Sequence, residues 1–120
     1  MKLNEYQEKA AEFAVYDTLD YPLLALGEEV GELQGKVAKY VRKNKMSAHE
    51  AVCDASDPVL TDHAQALRES IAKEAGDALW NLANLLEDLN MTLEDVAKAN
   101  IEKLESRQKR NVICGEGDDR

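Results

Sequence analysis

Apolar residues recur along this chain at three- and four-residue intervals, the spacing of helices that bury one face. Leu3, Tyr6, Ala10, Phe13 and Tyr16 form a first stripe, with Asn4 placed to cap its helix and Gln7 at the reciprocal position. Asp20-Tyr21-Pro22 interrupts the pattern, and Pro22 suits the first turn of a second helix that runs to about Arg42. Its stripe is Leu23, Leu26, Val30, Leu33, Val37 and Tyr40 or Val41. Ser47-Ala48-His49-Glu50 has the capping-box pattern of a short third helix that Asp57-Pro58 closes. From Thr61 to Asn90, the residues Leu67, Ile71, Ala75, Ala78, Leu82, Leu85 and Leu89 predict one long helix. Thr92 caps a last one, striped by Leu93, Val96, Ala97, Ile101 and Leu104. These readings predict an all-α helical domain over residues 1–110 and a turn-rich tail over 111–120.

Composition narrows the class further. The 120 residues include six glycines, two prolines, one Phe, one Trp and four Tyr, too few turn and aromatic residues for a β-sandwich or barrel. Fifteen Lys and Arg face 24 Asp and Glu, a formal net charge of −9. That balance argues against a protein that grips nucleic acid, whose binding is dominated by phosphate neutralisation. No apolar run is long enough to span a bilayer, and the start lacks the apolar core of a signal peptide, so a cytoplasmic protein without membrane contact is expected. Cys53 and Cys114 are far apart, and His49, Cys53, Asp57 and His63 match no zinc-ligand spacing.

The acidic residues carry the chemistry. At 100° per residue, Glu29 lies roughly 70° and Glu32 roughly 130° from the centre of the second helix's stripe, while Glu28 is on the far side. Glu74 and Asp77 stand at matching angles on the long helix. Acidic pairs spaced i, i+3 also arise by chance in so acidic a chain, as solvated helix surface. Like charges on one helix face nevertheless repel unless a cation joins them. Gly31 and Gly76 sit inside the pairs, where small residues would let two helices approach closely. If the flanks face each other, four oxygen donors converge, the hard-ligand set that suits Mg²⁺ and phosphate chemistry.

Glu28-Glu29-Val30-Gly31-Glu32 followed by Glu74-Ala75-Gly76-Asp77 resembles the E-E-x-x-E and E-x-x-D signature of the MazG-type, all-α nucleoside triphosphate pyrophosphohydrolases. Leu79-Trp80, Met91-Thr92-Leu93-Glu94-Asp95-Val96, the pattern Asn100, Lys103, Arg107 and the closing Gly115-x-Gly117-Asp118-x-Arg120 are similar to short single-domain members. Residues 33–73, between the two acidic motifs, are a longer spacer than is usual in the family, and the extra length falls in 43–69.

The resemblance implies Mg²⁺-dependent cleavage of a (deoxy)nucleoside triphosphate to the monophosphate and pyrophosphate, with Mn²⁺ as a substitute metal. It implies catalytic carboxylates at Glu28, Glu29, Glu32, Glu74 and Asp77, of which Glu29, Glu32, Glu74 and Asp77 are the metal ligands and Glu28 at most orients. A metal-activated water would attack the α-phosphorus in line. Asn81, Asn100, Lys103, Arg107 and Lys36 are the candidate substrate contacts, each of which reads also as ordinary helix surface. The tail would close over the nucleotide. The resemblance further implies a bundle completed by oligomerisation, a tetramer before a dimer. Trp80, opposite the stripe of its own helix, is expected at the subunit interface. Two alternatives stay open: a phosphoribosyl-ATP pyrophosphohydrolase-like enzyme, and a non-catalytic acidic helical oligomerisation module.

Overall fold

The computed structural model describes residues 1–18 and 20–120. Five helices occupy them and no strand occurs among the described residues: α1 (Leu3–Ala11), α2 (Asp20–Asn44), α3 (Ala48–Ser56), α4 (Asp62–Asp88) and α5 (Leu93–Lys109). The long helix α4 is the centre. It lies along α2, takes α1 and α3 on further contacts, and leaves α5 to pack on α1.

Local chemistry explains most of the boundaries. Ser47 Oγ accepts the Glu50 N–H while Glu50 Oε2 accepts the Ser47 N–H, the reciprocal cap expected for α3. Thr61 and Thr92 accept the Ala64 and Asp95 N–H groups at 3.2 and 3.0 Å and so start α4 and α5. Asn90 and Asn111, at φ 56° and 54°, end α4 and α5 in the left-handed region. The Met91 N–H returns to Leu86 O, and the Val112 N–H to Arg107 O.

Asn4 and Gln7 depart from the expected first-helix cap. Lys2 N–H bonds to Glu5 Oε2 at 2.9 Å to open α1. Gln7 Oε1 instead accepts the Leu93 N–H at 2.7 Å, and Asn4 Oδ1 accepts the Glu94 N–H at 3.3 Å. With Thr92, these side chains satisfy three successive N–H groups at the start of α5, so α1 acts as its external cap.

Two burial patterns also differ from the sequence reading. The inward face of α2 contains Pro22, Ala25, Leu26, Glu29, Leu33, Lys36, Val37 and Tyr40, whereas Leu23 and Val30 are 56% and 42% exposed. This face is turned by about 60° toward Glu29, because the seam with α4 carries charged groups at its middle. Trp80 is the second. Its Nε1 donates to Ala10 O at 3.1 Å and it packs against the cluster of Ala10, Ala83, Leu86 and Leu93. The central helix buries two faces, one on α2 and one on α1, so Trp80 belongs to its own chain's core. Tyr16 stands edge-on to Trp80 and donates to Asp88 Oδ2 at 3.1 Å; burial and that bond push its phenol up to about 12.

The buried apolar set is thin: Ala10, Ala25, Ala51, Ala64, Leu67, Ala83, Leu86 and Leu93. The radius of gyration is 17.5 Å, against about 14 Å for a compact chain of this length. Beyond its first turns α5 leaves Ile101 and Leu104 54% and 40% exposed.

Candidate metal and nucleotide site

Glu29 and Glu32 come from the middle of α2, and Glu74 from the middle of α4. Each offers a carboxylate oxygen, and these oxygens lie within 4.8 Å of one another. Glu74 is buried, Glu29 half-buried and Glu32 exposed, so the cluster opens from the helix seam to solvent. Lys36 Nζ stands 3.4 Å from Glu74 Oε1, one turn beyond Glu32. Burial, followed by the charges of Asp77, Glu32, Glu28 and Glu74, holds the Glu29 carboxyl above its ordinary range. This is a hard-oxygen donor set with more negative charge than its single lysine neutralises, and it fits a divalent cation.

Asp77 is exposed and stands outside the close triad, yet its charge reaches both Glu29 and the Tyr6 phenol, whose pKa is raised by burial and then by Asp77. Glu28 is exposed on the other side of α2, beside Thr18, Tyr21 and Leu24. Gly31 and Gly76 do not mark a close approach: a Cβ at either would meet no atom within 4 Å, because both face outward from the seam.

The expected substrate contacts are divided. Asn81 is buried on α4, with its Nδ2 donating to Asp77 O at 3.0 Å and its Oδ1 without a partner. Asn100 and Lys103 line an open cavity on α5 with Met91 and Val96. Arg107 is 5% exposed and donates to Asp118 O at 2.7 Å; Lys103 Nζ is 3.7 Å from Asp118 Oδ1. The tail is thus folded on α5, where the Arg120 guanidinium donates to the Val112, Ile113 and Gly117 carbonyls. Among the described residues no hydrogen bond or ion pair joins the tail to the acidic cluster, so within one chain it is no cover for that cluster. Gly115 lies beneath Arg120, whose Cδ a Cβ there would approach to 2.6 Å. Tyr6 near Asp77, and Lys39 and Lys43 beyond Lys36, are neighbours that the motif reading passed over. The i, i+3, i+7 lysine spacing was the available signal for the latter.

This all-α chain thus brings two carboxylates of α2 and one of α4 together in an oxygen-donor group that suits a hard cation. The MazG nucleotide pyrophosphohydrolase domain model matches residues 18–112, and the chain belongs to that family. It is therefore a short MazG-type nucleotide pyrophosphohydrolase, a family that is metal-dependent in general. The chain is also 33% identical, over 129 aligned positions spanning all of both proteins, to the Gene 37 protein of Mycobacterium phage L5. No solved structure matches it. None of the described helices is long and apolar enough to cross a membrane.

Proposed function

We propose that the chain hydrolyses (deoxy)nucleoside triphosphates to the monophosphate and pyrophosphate, with Mg²⁺ as its metal and Mn²⁺ as a substitute. The observation that carries this reading is the meeting of Glu29, Glu32 and Glu74 oxygens within 4.8 Å across the α2–α4 seam. Glu29, Glu32, Glu74 and Asp77 would hold the metal, and Glu28 lies outside that set. When bound, the divalent cation supplies neutralisation of phosphate oxygens and a more acidic water for attack at the α-phosphorus. Lys36 holds Glu74 in place and presents a cation to the departing phosphates. Asn81, with a buried unpartnered oxygen, presents an acceptor for a base or sugar donor.

Asn100, Lys103 and Arg107 reach a nucleotide at this site from another copy, since the extensive contacts of α5 within the chain are with α1 and not with α2. A homo-oligomer, tetramer before dimer, supplies that copy and covers Ile101 and Leu104. The thin core and the 17.5 Å radius of gyration support assembly. Residues 1–110 then act as the catalytic helical unit, 111–120 as an appended tail, and the enzyme works in the cytoplasm without nucleic acid or membrane partners. A nucleotide panel with Mg²⁺ tests the reading: pyrophosphate release from triphosphates is expected, and orthophosphate release alone would refute it.

A further inference from the structure

Beyond the acidic cluster the α2–α4 seam continues into a cavity of about 240 Å³, lined by Lys36, Lys39, Lys43, Asn44, His63 and Ser70 over a floor that includes Leu67. We infer that this cavity is an anion site that seats the pyrophosphate end of the substrate and retains pyrophosphate as product. The assignment of its occupant rests on the triphosphate reading above.

Three features carry the inference. First, among the described residues no carboxylate lines the cavity, in a chain where acids outnumber bases 24 to 15. Neither Lys39 nor Lys43 makes an ion pair among the described residues, as is true of most cations of the chain, but these two share one concave surface with Lys36. Unpaired ammonium groups gathered at a concave surface raise the local potential for anions. Second, the cavity begins at the acidic site. Lys36 lines both, with its Nζ 3.4 Å from Glu74, and Lys39 and Lys43 follow along one face of α2 over about 10 Å. A polyphosphate whose α-phosphorus lies at the carboxylates would run its outer phosphates onto this track, where charge-assisted hydrogen bonds are the strong ones.

Third, the described residues that line the cavity all come from the spacer between the acidic motifs, residues 33–73. The spacer carries α2 past Lys36 to Asn44 and starts α4 at Asp62, three turns before Glu74. α3 packs on both α2 and α4, and Tyr40 Oη donates to Asp54 Oδ2 at 3.2 Å to hold it.

The test is inorganic pyrophosphate binding to the full chain by calorimetry, in chelator so that no divalent cation contributes. Lys39→Gln/Lys43→Gln is compared with wild type and with Lys98→Gln, a lysine remote from the site, each checked for unchanged helical content. The inference expects metal-free binding by wild type and by Lys98→Gln, weakened about tenfold or more in the double variant. The KM for a triphosphate should rise with it, at little cost in kcat. Absence of metal-free binding in wild type, or equal binding by the double variant, would overturn the site. A chain that turns over no nucleotide yet loses pyrophosphate binding on the double substitution would keep the anion site and refute the catalytic reading. Normal turnover with unchanged binding and KM would do the reverse.

Discussion

Lys36 Nζ lies 3.4 Å from Glu74 Oε1, the ion pair that joins α2 to α4 where the acidic cluster begins. Lys36→Met removes the cation beside three converged carboxylates, so their mutual repulsion grows. Divalent metal then replaces the missing charge. We expect the variant to bind Mg²⁺ at least as well as wild type but to turn over nucleotide about tenfold or more slowly, through loss of a phosphate contact. Metal titration and steady-state kinetics on the same sample separate the two effects.

The carboxylates themselves should differ in rank. Glu29→Gln, Glu32→Gln and Glu74→Gln each remove one donor from the close triad and should lower turnover by two orders of magnitude or more, roughly 3 kcal/mol. Glu28→Gln should leave most activity, because Glu28 faces away from the triad. Kinetics at saturating Mg²⁺, with circular dichroism as the folding control, decide it; an inactive Glu28→Gln beside an active Glu29→Gln would reverse the assignment.

Gln7 binds the end of α4 and the start of α5 to α1, through Glu87 Oε2, Met91 O and the Leu93 N–H. Gln7→Ala leaves buried backbone groups unpaired and should cost about 2–3 kcal/mol in urea unfolding. Gln7 makes no hydrogen bond to Glu29, Glu32 or Glu74 among the described residues, so residual activity of the folded variant should be near that of wild type.

Trp80 and the α5 stripe separate fold from assembly. Trp80→Ala should destabilise the folded chain by about 3 kcal/mol, because Trp80 packs within its own chain. Ile101→Glu/Leu104→Glu should leave the protomer folded and yield a 13.4 kDa monomer by light scattering. Wild type at that same mass would refute the oligomer.

Arg107 gathers the tail through Asp118. Arg107→Gln should release residues 113–120, seen as rapid amide exchange and proteolytic clipping there, while α1–α4 keep their protection. Retained protection of the tail would show that the Arg120 contacts suffice.

The helical order of this chain was legible because each helix carries its own periodicity and cap: Ser47, Thr61 and Thr92 begin helices as their spacing predicts. Legible too was that Glu29 and Glu32 share one flank of α2 and Glu74 and Asp77 one flank of α4; that the flanks meet, and that Asp77 stays outside the close triad, was not. What a single-stripe reading misses is a helix with two buried faces, which is why Trp80 was expected outside. It also misses caps supplied from elsewhere. Asn4 and Gln7 have the residue types of a local cap, but their partners lie over 80 positions away in sequence. The rotation of α2 that brings Glu29 and Lys36 inward follows from pairing with Glu74, a tertiary fact that no local stripe contains.

The central claim is attack of water at the α-phosphorus of a triphosphate. Hydrolysis of a deoxynucleoside triphosphate in ¹⁸O-labelled water with Mg²⁺, read by mass spectrometry, tests it most directly. The account predicts label in the monophosphate and unlabelled pyrophosphate. Label in pyrophosphate would move the attack to the β-phosphorus, and release of orthophosphate with a nucleoside diphosphate would contradict the account outright.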